Sequence, residues 1–218
     1  YKYEPPLSAS LAGEALGVFP SFIPKTDAER VQNLDIEELI QHKYTITEKL
    51  DGSSMTVYFY ERDSEQSHFG VCSRNLELKE TVSNTFWIVA NNLNLKNKFE
   101  KNELYGYALQ GELIGPGIQK NIYGLKRHEF RPFKLFNIKE QKQESFSKLE
   151  EVCKAIELSM VPVLNHNYSI SDSVDSLLSY AEGVSVLNSK KQREGIVLVS
   201  EDSTITFKAI SNKFLLKQ

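Results

Sequence analysis

The chain has 218 residues, 40% hydrophobic and 11% aromatic, with a formal net charge of -3, so it can bury a sizeable core and does not have the composition of a disordered protein. It holds no apolar run near the roughly 20 residues needed to span a bilayer, and no charged start followed by an apolar stretch, so a soluble protein is expected. Its cysteines, Cys72 and Cys153, lie far apart and outside any Cys/His cluster, which excludes a zinc or disulfide scaffold and fits a reducing, intracellular setting.

Residues 1–20 read as a linker-like segment. The chain starts at Tyr1 rather than methionine, and Tyr3-Glu4-Pro5-Pro6-Leu7 carries no structural period, so residues 21–218 are expected to form one domain cut from a longer protein. Residues 27–34 and 36–40 read as short helical pieces with Asp27 as an N-cap. Strand patterns follow over 43–50, 54–60, 68–73, 107–114, 131–138, 195–200 and 204–210, with helical spacing over 82–93, 146–158 and 173–181. The last two strands read as a hairpin. Many strands and few helices predict an α+β domain in which antiparallel sheets frame a cleft.

Lys49, in the run Glu48-Lys49-Leu50-Asp51-Gly52-Ser53-Ser54, is the most informative position. Asp-Gly is a hairpin signal, and strand-like runs flank it, so a plain β-turn accounts for the tetrapeptide. Lys-x-Asp-Gly also suits a covalent nucleotide carrier. An amine with an ordinary pKa of about 10.4 is a poor nucleophile at neutral pH, so that chemistry needs nearby cations or burial.

Helpers for such a lysine recur downstream. Arg74, in Ser73-Arg74-Asn75, sits where a guanidinium at a strand end can grip a phosphate, or simply face solvent. Glu112 lies in the apolar run Gly111-Glu112-Leu113-Ile114, where a buried carboxylate needs a partner such as a ribose hydroxyl, unless the alternation turns it to solvent. Strand alternation over 133–138 puts Phe133 and Leu135 on one face and Lys134, Phe136 and Ile138 on the other; one phenylalanine can stack on a base, although most strand phenylalanines are core. Glu194 and Lys208 fall on the successive strands of the last hairpin, where an acid, a lysine and a magnesium ion can meet a phosphate. Between Gln119 and Lys134, the cations Lys120, Lys126, Arg127, Arg131 and Lys134 are interleaved with Tyr123, Phe130 and Phe133, a mixture suited to nucleic acid or to a solvated loop. Ser203 to Gln218 is also basic, with Lys208, Lys213 and Lys217.

Taken in order, the Lys49 run, Ser73-Arg74-Asn75, Gly111-Glu112-Leu113-Ile114, Phe133-x-x-Phe136-Asn137-Ile138, Glu194-Gly195-Ile196-Val197 and Phe207-Lys208-Ala209-Ile210-Ser211-Asn212 resemble the six signatures of covalent nucleotidyltransferases. Phe22-Ile23-Pro24-Lys25-Thr26-Asp27-Ala28-Glu29-Arg30-Val31-Gln32-Asn33 and Gly115-Pro116-Gly117-Ile118-Gln119-Lys120-Asn121 resemble segments of the nick-sealing RNA ligase branch. The resemblance implies an ATP-dependent RNA ligase domain using Mg2+ or Mn2+. Lys49 would carry AMP, which passes to an RNA 5'-phosphate before attack by a 3'-hydroxyl, at a break that can be a nick in a duplex. A DNA ligase, a GTP-using capping enzyme and, in a different class, a non-catalytic nucleic-acid-binding module are the alternatives.

By the same resemblance, Asp51 organises the pocket and Glu48 contacts the adenine amino group. Arg74 stands near the ribose or phosphate, and Glu112 holds the ribose hydroxyls. Phe136 stacks on adenine, with Phe133 as competitor. Glu194 serves the metal, through water, and Lys208 binds phosphate. Gln119, Lys120, Lys126, Arg127 and Arg131 are the expected RNA contacts. Relatives often have Lys-x-Lys where this chain has Lys208-Ala209-Ile210, so either one lysine suffices here or Lys213 or another cation takes the place of the second. An N-terminal OB-type module in cis and a monomeric state complete the expectation.

Overall fold

The computed structural model describes residues 13–62, 66–171 and 173–216; residues 1–12 and Lys217 of the basic C-terminal run lie outside the described residues, while the rest of the segment expected to be a linker is not one, since Ala15–Val18 pairs with Leu76–Leu78 and Phe19 is core. The strands are β1 (Ala15–Val18), β2 (Glu29–Arg30), β3 (Lys43–Lys49), β4 (Ser53–Arg62), β5 (Gln66–Cys72), β6 (Leu76–Leu78), β7 (Tyr107–Ile114), β8 (Glu129–Asn137), β9 (Lys142–Gln143), β10 (Val163–Ser169), β11 (Gly195–Ser200) and β12 (Thr206–Ile210). The α-helices are α1 (Ile36–Leu39), α2 (Thr85–Asn92), α3 (Leu95–Lys101), α4 (Phe146–Ala155), α5 (Val174–Ala181) and α6 (Asn212–Leu215). Asn84, Ser145 and Ser173 cap α2, α4 and α5 by accepting backbone N–H groups of the first turn.

Two sheets result: a seven-stranded sheet in the order β1-β6-β5-β4-β7-β8-β9 and a five-stranded sheet in the order β10-β3-β11-β12-β2. The α+β expectation holds, as does the β11–β12 hairpin; pairing is antiparallel except where β2 runs parallel to β12. Period-2 alternation divides each strand between a core face and the opposite face. In the larger sheet Met55, Val57, Phe59, Leu109, Leu113 and Leu135 pack against Trp87, Phe99, Leu149 and Val152 of the helices. In the smaller sheet Tyr44, Ile46, Ile196, Leu198, Phe207 and Ala209 pack against Leu39 and Leu177. The opposite faces carry Ser54, Glu112 and Lys134 on one sheet and Lys49, Val197 and Lys208 on the other, and these residues line one cleft. Among the described residues, no helix is long and apolar enough to cross a membrane.

Three local expectations are corrected. First, Lys49-Leu50-Asp51-Gly52 is not a hairpin turn: β3 pairs with β10 and β11, whereas β4 pairs with β5 and β7, so the turn carries the chain from one sheet to the other. Gly52 allows it, because a Cβ there would lie 2.4 Å from the Leu113 carbonyl oxygen. Second, residues 27–34 are not one helical piece capped by Asp27. They hold β2 and a single 3-10 turn (Val31–Asn33), and the cap of α1 is Asp35, which accepts the Glu37 amide. Third, the pairing of β7 with β8 slips between Gln110 and Gly111, so Phe133 is an extra residue on β8. That bulge turns Phe133 away from the core face that Leu135 occupies.

Candidate active site

The cleft between the sheets has a volume of about 690 Å³, within the usual range for small-molecule sites. Lys49 ends β3 opposite Gly195 of β11, which brings Glu194 beside it, and Lys49 Nζ donates to Glu194 Oε1 at 2.6 Å. Gly195 is sterically required at this crossing, since a Cβ would lie 2.2 Å from the Ala209 carbonyl oxygen of β12. Burial raises the Glu194 pKa, and the Lys49 ammonium opposes that rise. Lys208, on the strand beyond, has its pKa lowered by burial and then by the charge of Lys49.

Glu48 is almost fully enclosed at 1% exposure. Its Oε2 accepts the Val186 amide at 2.7 Å, while Oε1 is buried with no hydrogen-bond partner. Such an oxygen can take a donor from a bound ligand; burial raises the Glu48 pKa, against the Ser185 side chain, the Val186 amide and the charge of Arg193. Glu112 reaches the cleft from β7. Burial pushes its pKa up to about 8, with Lys49 opposing and Glu194 and Asp51 reinforcing the rise. Asp51 is also raised by burial, against Lys49 and Lys120. Four acids therefore share one cleft and each is held towards its protonated form.

One consequence is testable without substrate. The Glu112 carboxyl of the folded protein keeps its proton up to about 8, while the unfolded chain releases it near 4.5. Stability from this group is present at low pH and is lost as pH rises between those values. Glu112→Gln is expected to flatten that decline and raise the melting temperature at pH 8 by about 3–6 °C, or roughly 1–2 kcal/mol, leaving pH 4.5 little changed. Parallel thermal melts at the two pH values check it.

The structure brings Glu48, Lys49, Asp51, Arg74, Glu112, Gln119, Glu194 and Lys208 to the cleft wall. Arg74 is forked there on Asp27, donating from Nη2 to both carboxylate oxygens at 2.8 Å. Phe136 is not on the wall. It lies on the same face of the sheet, but under Phe19, Phe22 and Ile23, packed with Tyr58 and Ala108. The bulge puts Phe133 on the wall instead. Lys126 and Arg127 are exposed and Lys120 is exposed close to Asp51, outside the cleft lining. The Arg131 guanidinium is engaged within the protein, by Glu129 Oε2 at 2.8 Å from Nε and by the Met160 carbonyl at 3.2 Å, so it is a poor candidate for a surface phosphate contact.

Ile210 is buried, and Lys213, the suggested substitute cation, pairs with Glu182 at 2.7 Å away from the cleft. Lys134, which alternation places on the face opposite Leu135 and which belongs to the basic run after Gln119, does reach the wall: it is half-buried, its pKa is lowered by burial, and it makes no hydrogen bond or ion pair with the described residues. Asp27 and Asn75 on the wall and Tyr123 beneath the Lys49 turn carry no assigned role at the site in the sequence analysis, because they are joined to it only by tertiary contacts.

Among the described residues, no group of three acids, histidines or cysteines is arranged to hold an ion alone. The all-oxygen donor set suits Mg2+ or Mn2+ held by a carboxylate and substrate phosphates.

Residues 42–217 match the model of the RNA ligase family. Naegleria gruberi RNA ligase is similar in structure. A mutant solved with AMP and Mn is 40% identical at TM-score 0.88, covering 100% of this chain and 65% of that one. A mutant solved with ATP and Mn gives the same figures, and the enzyme with PPi is 39% identical at TM-score 0.87, covering 100% of this chain and 64% of that one. The chain thus spans less than two thirds of the length of these relatives. No curated protein sequence matches the chain.

Proposed function

As the chain belongs to the RNA ligase family, we propose that it is the nucleotidyltransferase domain of an ATP-dependent RNA ligase that charges itself with AMP at Lys49. The observation that carries this reading is the pairing of Lys49 Nζ with Glu194 Oε1 at 2.6 Å in a cleft whose deep end holds the unpartnered Glu48 Oε1. The adenine amino group is the donor that Glu48 Oε1 lacks, and Phe133 supplies the stacking face. Glu112 faces the ribose hydroxyls.

The neutral Lys49 amine attacks the α-phosphorus; the N–P bond forms as the bond to the pyrophosphate oxygen breaks. An RNA 5'-phosphate oxygen then displaces the lysine, and a 3'-hydroxyl oxygen in turn attacks the 5'-phosphorus and releases AMP. Much of the catalysis is positioning and charge stabilisation, for which Lys208 and Arg74 provide cations. Arg74 must exchange Asp27 for substrate to do so. A divalent ion, Mg2+ or Mn2+, held by substrate phosphates with Glu194 as its protein partner, would neutralise charge on the phosphates. The RNA ends are expected to approach along Gln119 and Lys120, at the rim nearest Asp51. The Naegleria structures with ATP or AMP and Mn support the choice of nucleotide and metal.

Incubation of the protein with α-labelled ATP and Mn2+, followed by denaturing electrophoresis, is expected to leave acid-labile, alkali-stable label on the chain. No label, or equal label from GTP, would overturn the reading. Joining of a DNA 3'-hydroxyl strand at a nick as fast as an RNA one would overturn the assignment to RNA.

A further inference from the structure

The turn that follows Lys49 leaves one sheet and enters the other, so no β-ladder satisfies its backbone groups. One segment, Gly115 to Leu125, holds both ends. The Asp51 amide donates to Tyr123 Oη at 2.6 Å, and Gln119 Nε2 donates to the Gly52 carbonyl at 3.2 Å. Tyr123 is itself fixed. Its side chain is 5% exposed and packs with Leu50, Ile114 and Val161. The Asn121 carboxamide is bonded in both directions to the Leu125 backbone, at 2.9 and 3.2 Å. Asn188 Nδ2 ties the Ile122 carbonyl at 2.9 Å to the loop whose Val186 amide holds Glu48. Burial raises the phenol pKa, so the hydroxyl stays neutral and available.

The geometry points to Tyr123 as a positioning residue for the nucleophile, acting through the Asp51 amide on the turn that carries Lys49. This rests on the reading of Lys49 as the adenylated residue. Attack on the α-phosphorus requires the amine to sit in line with the departing pyrophosphate, and a displacement of about 1 Å costs on the order of 10²-fold. Tyr123 does not touch the reacting atoms. It removes the freedom of the backbone two residues beyond the amine, and without its oxygen the Asp51 amide loses its partner.

Tyr123→Phe keeps the ring and its packing and deletes only the oxygen. Lysyl-AMP formation in a single turnover is expected to slow about 10-fold, with the KM for ATP within about 2-fold of wild type. Joining of a pre-adenylated RNA strand, which bypasses the lysine attack, is expected to stay within about 2-fold. Gln119→Ala, at the other end of the turn, should combine with Tyr123→Phe less than multiplicatively in lysyl-AMP formation, because both act on one backbone segment. Adenylation at the wild-type rate, an effect confined to KM, or equal losses in adenylation and in joining of pre-adenylated RNA would each overturn the assignment. The last result also covers a variant that fails to fold. If the wild type takes no label, the reading of Lys49 fails and this inference with it; if the wild type labels and Tyr123→Phe labels equally, only the inference fails.

Discussion

Replacing Lys49 by alanine is expected to abolish covalent capture of AMP, a loss of at least about 10⁴-fold against wild type, because it removes the amine that bonds Glu194 Oε1 in the cleft. The substitution also leaves a carboxylate without its cation. Glu194 is 17% exposed, and Lys49 is the first of the groups that hold its pKa down against burial. In Lys49→Ala that pKa rises further, so stability is lost as pH climbs through it. Lys49→Arg separates the two effects, since a guanidinium supplies the charge but cannot be deprotonated to attack. Both variants should fail to label, while Lys49→Ala melts below Lys49→Arg by about 3–6 °C at pH 8 and approaches it at pH 5. Labelled ATP and paired melts read both quantities. Label retained on Lys49→Ala would place the adenylated residue elsewhere.

The elements most legible in the sequence were those whose chemistry contradicts their surroundings. A glutamate among Gly111, Leu113 and Ile114, or a lysine between Phe207 and Ala209, is costly in a strand unless the face opens on a site, and both lie on the cleft wall. The apolar runs 107–114 and 195–200 matched β7 and β11, because β-rich composition and alternation agree there. Short or polar edge strands escaped notice: β10 reads VLNHNYS and β9 has two residues, so neither carries a period long enough to detect. The Asp-Gly turn shows how far local signals reach. They announce a change of direction after Lys49 but not which sheet receives the next strand, a matter settled by burial of Met55 and Val57 against the helices of the larger sheet. Pairings such as Asp27 with Arg74 and Asp51 with Tyr123 join residues 47 and 72 positions apart and leave no mark in a local window.

Phe133 and Phe136 are the pair where periodicity misled, and substitution of each should give opposite phenotypes. Simple alternation from Leu135 puts Phe133 in the core and Phe136 on the cleft face. The bulge at Phe133 undoes the first half of that prediction, and the cover of Phe19, Phe22 and Ile23 undoes the second. Phe136→Ala removes a ring that is 6% exposed and surrounded by apolar neighbours. It is expected to cost about 3–5 kcal/mol of stability, with the fraction that stays folded binding ATP normally. Phe133→Ala removes a half-buried ring on the cleft wall and is expected to cost about 1 kcal/mol or less in stability, because the wall already meets solvent. Its effect falls on the nucleotide: loss of one stacking face, worth about 1–3 kcal/mol, raises the KM for ATP in lysyl-AMP formation by roughly 5- to 150-fold. Denaturant unfolding alongside ATP titration of the labelling reaction distinguishes the two. A Phe136→Ala protein that is fully stable but blind to ATP would return the stacking role to Phe136 and show that the bulge does not direct Phe133 to the base.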